Sequence, residues 1–299
     1  MPGSIAQGMI WGVMALGVYI TFRLLDFADL TVDGSIATGA AGSVMLIRAG
    51  VSPIATLPIA FLAGALAGMV TGLLNTALGI PGILASILTQ ISLYSINLNI
   101  MGKANQPVSV DNYPLVVSLR YVTDGSVSRL LFFLGMIVFL LALIAVMYWY
   151  FGTEQGHAIR ATGCNSNMAR AQGINTNFIK VLALMISNGL VGLCGALYGQ
   201  FQGASDVNMG RGAIVIGLAA VIIGEVLFGK FASKRKLAFA FTLASVILGA
   251  VIYYMVYQFV LWLKMPSEDM KLFSAIVVAI FLAIPYLKEK RTLRKGASK

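Results

Sequence analysis

Residues 23–35 carry the densest group of ionisable side chains, and they separate two apolar stretches. The carboxylates of Asp26, Asp29 and Asp33 lie three and four residues apart, with the hydroxyl of Thr31 between them. Ionisable groups at membrane depth are costly and usually mark the path of a substrate or an ion. The segment has two interpretations: a broken helix whose unwound backbone lines a polar path, or a polar surface turn that caps the next helix.

A second polar group lies within the apolar stretch 82–100. Gln90, Tyr94 and Asn97 are separated by four and three residues, so they share one face of a helix. Such a face fits the lining of a cavity, and it fits hydrogen bonding between helices equally well. The residues that we predict to line a translocation path are Asp26, Asp29, Thr31, Asp33, Gln90, Tyr94 and Asn97.

The remaining reactive residues form no recognisable catalytic or metal site. Cys164, Cys194 and His157 lack the spacing of a zinc site or a disulfide framework. The stretch 224–231 matches most of a phosphate-binding loop, but Phe231 replaces the hydroxyl residue that would bind magnesium. The match also ends an apolar stretch instead of following a buried strand. We therefore expect no catalytic residue, no metal and no cofactor in this chain.

The composition of the chain is typical of a membrane protein. Of the 299 residues, 59% are hydrophobic and 11% are charged, and the mean hydropathy is +0.87. A soluble domain carries roughly a quarter charged residues, so we predict a single transmembrane domain over residues 1–299. The basic residues behind the net charge of +10 cluster at 230–236 and 288–299. Short basic clusters beside apolar spans indicate the cytoplasmic side of a membrane and not nucleic-acid binding.

The apolar stretches have the lengths of membrane-spanning helices, which need about 20 residues each. With the shorter, small-residue-rich stretch 34–48 there are nine candidates. We predict an all-α polytopic membrane protein with about eight or nine transmembrane helices, some of them broken. The longer stretches are 4–22, 54–78, 82–100, 129–151, 178–200, 212–229, 237–262 and 272–287.

Lysine and arginine set the predicted orientation. With the tail 288–299 in the cytoplasm, alternation of the spans places the polar loop 152–180 in the cytoplasm as well. The loop 101–128 and the N-terminus then lie outside. Pro107 and Pro114 are turn formers in that outer loop. They fit a folded cap over the membrane domain, and a floppy connection fits equally well.

The sequence also contains a weak internal similarity. Segment 203–212 resembles segment 23–35, because each is an Asp-containing, Gly-rich approach to a helix of small residues. In the predicted topology the two segments enter from opposite sides, as in an inverted repeat. Glycines spaced for close helix packing occur at Gly64, Gly68 and Gly72 and at Gly189, Gly192, Gly195 and Gly199.

Two polar segments of the chain match a known family of proteins. In the loop 152–180 the matching residues are Gly156, Arg160, Ala161, Gly163, Asn165, Ala169, Gly173, Ile174 and Asn175. The second segment is 29–35, Asp-Leu-Thr-Val-Asp-Gly-Ser. On these residues the chain resembles the permease subunits of ATP-binding cassette (ABC) importers of the branched-chain amino acid and ribose class, whose sugar permeases have an Asp-Leu-Ser-rich turn similar to 29–35.

This resemblance implies a non-catalytic permease of a bacterial plasma membrane. The permease would form a homodimer or pair with a related permease, and it would receive substrate from an extracytoplasmic binding protein. Two ATP-binding cassette subunits would bind and hydrolyse ATP with magnesium. The resemblance also implies a coupling helix at 160–169 that rests in a groove of the ATPase, and a turn at 173–175.

Local chemistry is compatible with a docking helix in this loop. Gly156 and Gly163 serve as joints between loop and helix, and Asn165 or Ser166 caps a helix. Without the resemblance, an ordinary cytoplasmic loop explains the same residues. A helix that begins there would present apolar groups and arginines free for acidic partners, namely Met168, Ala169, Arg160 and Arg170.

The predicted path combines polar and aromatic side chains, which fits a small neutral or zwitterionic solute. The resemblance narrows the substrate to an amino acid, a sugar or a nucleoside, and we favour a branched-chain or aromatic amino acid. One alternative is a self-contained ion-coupled carrier that uses the acids at 26–33 and Glu225. Another is a membrane scaffold or enzyme subunit that transports nothing and has no solvent-accessible path.

Overall fold

The apolar stretches fold as helices because a backbone removed from water has to satisfy its own hydrogen bonds. The computed structural model describes residues 2–123, 126–232 and 237–262, together with 276, 279 and 283. A π-helical turn, Ile20–Leu24, extends the first helix. The helices are α1 (Pro2–Tyr19), α2 (Thr31–Arg48), α3 (Pro53–Thr76), α4 (Gly82–Met101), α5 (Leu119–Thr123), α6 (Ser126–Phe151), α7 (Glu154–Cys164), α8 (Ser166–Ala171), α9 (Thr176–Gln202), α10 (Ala213–Ala232) and α11 (Ala238–Trp262).

These helices confirm the prediction of an all-α polytopic membrane protein, with two short strands, β1 (Asn105–Pro107) and β2 (Ala204–Asp206), as an addition. Six of the described helical segments are long and apolar enough to cross a membrane, and Ala213–Gly229 is a shorter apolar helix. The predicted stretch 34–48 belongs to α2, which begins at Thr31. Predicted features outside the described residues are 124–125, the basic residues 233–236, the segment 263–271, most of 272–287 and the tail 288–299.

Helix α9 forms the centre of the bundle, and its residues 187–201 are all buried. Its neighbours approach it backbone to backbone. A methyl group on Gly68 of α3 would overlap the carbonyl oxygen of Leu184. A methyl group on Gly39 of α2 would overlap the carbonyl oxygen of Gly192. The predicted packing role of the glycines is therefore confirmed at these crossings.

Contacts at the two ends of the bundle give the direction of the chain. Gly3, near the start of α1, packs against Leu119 of α5, and we call this the cap end. Gly163 of α7 packs against Leu24 at the opposite end, which we call the loop end. The N-terminus therefore lies at the same end as residues 102–118, as the alternation of spans predicts.

Helix α2 begins in the interior of the bundle, beside the middle of α9. The hydroxyl of Ser35 donates to Oδ1 of Asn188 at 2.7 Å. From there α2 runs parallel to α9 toward the cap end, where Nε2 of Gln200 donates to Oγ of Ser43 at 3.2 Å. The chain reaches this interior start through residues 25–30, which leave the loop end without helical structure.

Helix α10 begins in the interior in the opposite sense. Its Gly217 packs against Met14 and Val18, in the second half of the long helix formed by α1 and the π-helical turn. It then runs toward the loop end, where Nε of Arg23 donates to Oε1 of Glu225 at 2.8 Å. Because α1 and α9 are antiparallel, the pairs α9–α2 and α1–α10 have the inverted arrangement that the sequence pattern predicts.

Residues 102–118 fold as a cap. Strand β1 pairs antiparallel with β2, and Pro107 lies opposite Ala204 in this ladder, so its interpretation as a turn former is wrong. Each strand follows a helix that ends at a glycine with positive φ, Gly102 after α4 and Gly203 after α9. The apolar residues that join the cap to α2 are Val44, Ile47, Val108 and Leu115. Of the two interpretations, the folded cap is the one observed.

Gly39→Ala tests the backbone contact between α2 and α9. Overpacking a close contact destabilises a protein by about 1–3 kcal/mol. The midpoint of thermal unfolding in detergent, monitored by size-exclusion chromatography, should therefore fall. Gly42→Ala is the matched control on the same helix, because a methyl group there meets nothing within 4 Å. A Gly39→Ala protein as stable as the wild type would contradict the packing described here.

Candidate functional site

The N-termini of α2 and α10 meet at the carboxylate of Asp33. Its Oδ2 accepts the backbone N–H of Gly212 at 2.9 Å, and its Oδ1 accepts that of Ile214 at 2.9 Å. A side chain on Gly210 would overlap the carbonyl oxygen of Asp33, so the two chains touch. The N-terminus of a helix carries about half a positive charge, and Asp33 therefore lies between two favourable helix ends. We call residues 29–35 and 210–214 the helix junction.

Asp29 is buried and holds the start of α2. Its Oδ1 accepts the backbone N–H of Thr31 at 2.9 Å, and its Oδ2 accepts Nδ2 of Asn188 at 2.6 Å. Through the bond from Ser35 to the same amide, α2 and α9 are joined by a continuous buried network. Buried hydroxyls within hydrogen-bond distance of one another extend the contact to α3 and α4, namely Thr31, Thr71 and Thr89.

A cavity of about 290 Å³ lies beside the helix junction. Gln90, Tyr94 and Asn97 line it from one face of α4, while Asp33 and Arg211 line it from the junction. Asn97 is fully buried, and its two amide atoms have no hydrogen-bond partner among the described residues. The other lining residues are Gly34, Ala37, Ile91 and Val207. The cavity thus offers polar, charged and aromatic groups to a small molecule.

The structure divides the predicted path residues into two groups. Asp33, together with the three polar residues of α4, lines the cavity. Asp26, Asp29 and Thr31 do not line it. Asp26 is exposed at the loop end with a φ of 54°, so the interpretation as a surface turn describes that residue. Asp29 and Thr31 are buried in the junction. The interpretation as a broken helix describes these two residues.

Two important residues were absent from the predicted path. Arg211 falls in a segment that the topology assigns to an outer connection, yet it reaches the cavity. The only feature of the sequence that could have indicated this role is the position of Arg211 in the segment 203–212, which resembles the first polar segment. Asn188 joins Asp29 to Ser35 from inside α9. Its signal is an amide in the middle of a largely apolar stretch.

Three of the four acids that an ion-coupled carrier would use take part in structural contacts, and the fourth, Asp26, is exposed at the loop end. Asp29 and Asp33 hold helix starts, and Glu225 forms an ion pair with Arg23. Over the described ranges, no group of three His, Cys, Asp or Glu residues could hold a metal ion. The stretch 224–231 that partly matches a phosphate-binding loop is helical throughout, within α10.

Residues 152–175 fold into two short helices at the loop end. Asn165 has an extended backbone, and it divides the predicted helix 160–169 between α7 and α8. Ala161 lies in α7 and is half-buried. The side chain of Asn165 accepts the backbone N–H of Met168 at 3.0 Å and caps α8. The cap at Asn165 is therefore confirmed, whereas the single continuous helix is wrong.

The turn from α8 into α9 also follows local chemistry. Gly173 has a φ of 84°, which favours glycine. Asn175 caps α9, because its Oδ1 accepts the backbone N–H of Phe178 at 3.2 Å. Ile174 between them packs against the core of the bundle. The predicted turn at 173–175 is confirmed.

The exposed groups of this loop differ from the predicted ones. Met168 is 63% exposed, but Ala169 is only 4% exposed, so its expected place on the outer surface of α8 is wrong. The guanidinium of Arg160 lies 4.2 Å from the centre of the Phe239 ring. Arg160 is therefore not free for an acidic partner as expected. Arg170 is exposed and donates a hydrogen bond to the start of α9.

Two glycines allow helix α7 to pack closely against the neighbouring backbone. A side chain on Gly163 would overlap the carbonyl oxygen of Leu24, and one on Gly156 would press on the backbone of Phe151. Leu24 immediately precedes residues 25–30, the segment that leads into the helix junction. A displacement of α7 therefore has a short covalent route to the junction.

Cysteine labelling tests which side chains reach the cavity. In a Cys164→Ser background, with Cys194 fully buried, we expect Tyr94→Cys to react with a charged methanethiosulfonate reagent. Thr31→Cys should not react, because Thr31 is fully buried, whereas Tyr94 is 43% exposed. Leu134→Cys is the control outside the cavity. Leu134 is 55% exposed, but it lies in the apolar helix α6, where it faces lipid, so a charged reagent should not label it. Labelling at position 31, or none at position 94, would contradict the assignment.

Comparisons with known proteins agree with the resemblance drawn from the loop. A family model described as the permease component of the branched-chain amino acid transport system matches residues 1–285. A tyrosine transport system permease protein of Clostridioides difficile (strain R20291) is 40% identical over 277 residues, covering 93% of this chain and 88% of that protein. The autoinducer 2 import system permease protein LsrC of Yersinia pseudotuberculosis (serotype O:3, strain YPIII) is 28% identical over 267 residues, covering 88% and 70%. The inner membrane ABC transporter permease protein YjfF of Escherichia coli (strain K12) is 27% identical over 218 residues, covering 72% and 64%. The chain therefore belongs to the family of ABC transporter permeases of the branched-chain amino acid and ribose type, and it is a multi-pass membrane protein.

Proposed function

We propose that this chain is the substrate-conducting subunit of an ABC importer in a bacterial plasma membrane. The observation that carries the proposal is the position of α8. It is a capped helix at the loop end with the 63% exposed side chain of Met168 at its surface, and it adjoins α7, which leads to the helix junction. An exposed apolar side chain on such a helix is suited to a groove in another protein. The loop end is then the cytoplasmic end.

The mechanism that we propose is alternating access powered by a partner. Two ATP-binding cassette subunits bind ATP with magnesium and close against each other. Each subunit moves the α8 helix of the permease that is bound to it. Helix α7 carries the displacement to Leu24 and then through residues 25–30 to Asp33. Small shifts there separate or rejoin the ends of α2 and α10, because packed interfaces switch between discrete arrangements. The chain itself catalyses no reaction and holds no cofactor.

We infer that the substrate is a hydrophobic amino acid, branched-chain or aromatic. A relative that is 40% identical to this chain carries the name of a tyrosine transport permease. The aromatic ring of Tyr94 and the polar groups of Gln90 and Asn97 in the cavity fit such a solute. A sugar or nucleoside, which the resemblance of the sequence also allows, is the second candidate. An extracytoplasmic binding protein would deliver the substrate to the cap end.

A second permease copy, or a related permease, would pair with this chain. On the side of α4 that faces away from Gln90 and Asn97, Ser92, Ser95 and Asn99 are exposed. Polar groups in the middle of a membrane helix are unfavourable against lipid. We therefore place this outer face of α4 against the other permease subunit.

Met168→Glu tests the coupling role of α8. Burying a methionine side chain contributes about 1.5–3 kcal/mol, so a charge in its place should weaken retention of the ATPase subunit about tenfold or more. Transport should then be lost while membrane insertion and thermal stability are kept, because the side chain is exposed. The readouts are co-purification of the ATPase subunit and uptake by cells.

Met168→Leu is the matched control, since it keeps an apolar side chain of similar size, and it should behave as the wild type. Ala169→Glu is less informative, because Ala169 is buried and the change would disturb α8 itself. Normal ATPase retention and transport in Met168→Glu would remove α8 from the coupling surface.

A further inference from the structure

The cavity beside the helix junction contains one acid and one base that do not pair. Asp33 and Arg211 both line it, yet the described part of the chain shows no ion pair between them within 4.0 Å. Arg211 is exposed, and its guanidinium has no hydrogen bond to a described residue. The separation of Asp33 and Arg211 leaves room for a ligand that contacts both.

The carboxylate of Asp33 keeps part of its bonding capacity for such a ligand. It accepts two backbone N–H groups, from Gly212 and Ile214. An ionised carboxylate has about four lone-pair sites, so an ammonium group has acceptors left to bind. The guanidinium of Arg211 offers a planar fork of donors that matches a carboxylate in two parallel bonds.

Asn97 gives an independent sign of a ligand. The residue is fully buried and lines the cavity, and both its amide nitrogen and its amide oxygen lack partners in the residues that the structure describes. A buried amide without partners is unfavourable, and a ligand with both donors and acceptors would satisfy it. Tyr94 and Ile91 provide the apolar part of the lining.

We propose that this cavity is a binding site for the zwitterionic head of one amino acid, with the ammonium group at Asp33 and the carboxylate at Arg211. Asn97 completes the polar contacts, and the substrate side chain lies along Tyr94. The cavity volume of about 290 Å³ is at the lower limit of small-molecule pockets, which span about 300–1,000 Å³. It therefore suits a single amino acid. This inference rests on the proposed function, and it adds the site at which the permease itself selects its substrate.

The test compares three ligands that share one side chain. L-Tyrosine carries both charges, tyramine lacks the carboxylate, and 3-(4-hydroxyphenyl)propionate lacks the ammonium group. Binding of radiolabelled L-tyrosine to the purified complex of permease and ATPase subunits is measured by equilibrium dialysis, with the other two compounds as competitors. In the wild type, we expect each competitor to bind about tenfold or more weakly than L-tyrosine.

Arg211→Gln should remove the preference for the carboxylate. L-Tyrosine should then bind about tenfold more weakly and tyramine unchanged, so that the two become equal. Arg211→Lys should keep most of the preference, because it keeps the charge. Arg120→Gln is the matched control: Arg120 is also exposed, near the cap end, but it pairs with Asp111 outside the cavity.

Two outcomes would overturn this site. One is unchanged discrimination in Arg211→Gln, and the other is a wild-type complex that does not bind L-tyrosine saturably. ATPase subunits that co-purify with Arg211→Gln and hydrolyse ATP would show that only the site has failed. A permease that retains no ATPase subunit in any variant would instead show that the proposed function has failed.

Discussion

The interaction on which the rest of the structure depends is the bond between the carboxylate of Asp33 and the start of α10. Helices that begin inside a membrane protein expose unpaired N–H groups, and each such group is unfavourable by several kcal/mol in a hydrocarbon environment. Asp33 satisfies the N–H groups of Gly212 and Ile214, while Asp29 satisfies that of Thr31. These bonds allow α2 and α10 to begin inside the bundle with their N-termini facing each other. A polar space exists between the helices because they begin there. The cavity is a consequence of the way in which the helices begin.

Close packing around α9 keeps this arrangement in place. Glycine contacts bring α2 and α3 against α9, so that Asn188 can reach Asp29. The same helix begins at the turn after α8, at the loop end. The docking surface that we propose and the helix junction are thus joined twice, through α9 and through α7 with residues 25–30. A force applied at Met168 has two routes to the cavity.

The sequence predicts local features well and long-range pairings poorly. The cap at Asn165 follows from side-chain chemistry within three residues, and the position of Asn97 beside the cavity follows from helical periodicity. The contact between Asp29 and Asn188 joins residues 159 apart, and it depends on how whole helices pack. The expectation for Arg160 failed for the same reason, since the ring that holds it belongs to α11. Hydropathy likewise predicts that a segment is helical but not which face of it is buried.

The central claim is that the energy for transport comes from another chain, through the loop end of this one. It is tested most directly by accumulation of radiolabelled L-tyrosine in proteoliposomes that contain this permease, its ATPase subunit and its binding protein. We predict that accumulation requires all three proteins. It also requires hydrolysable ATP on the side of the membrane that carries the ATPase subunit. Accumulation by the purified permease alone, driven by a proton or sodium gradient without ATP, would contradict the account.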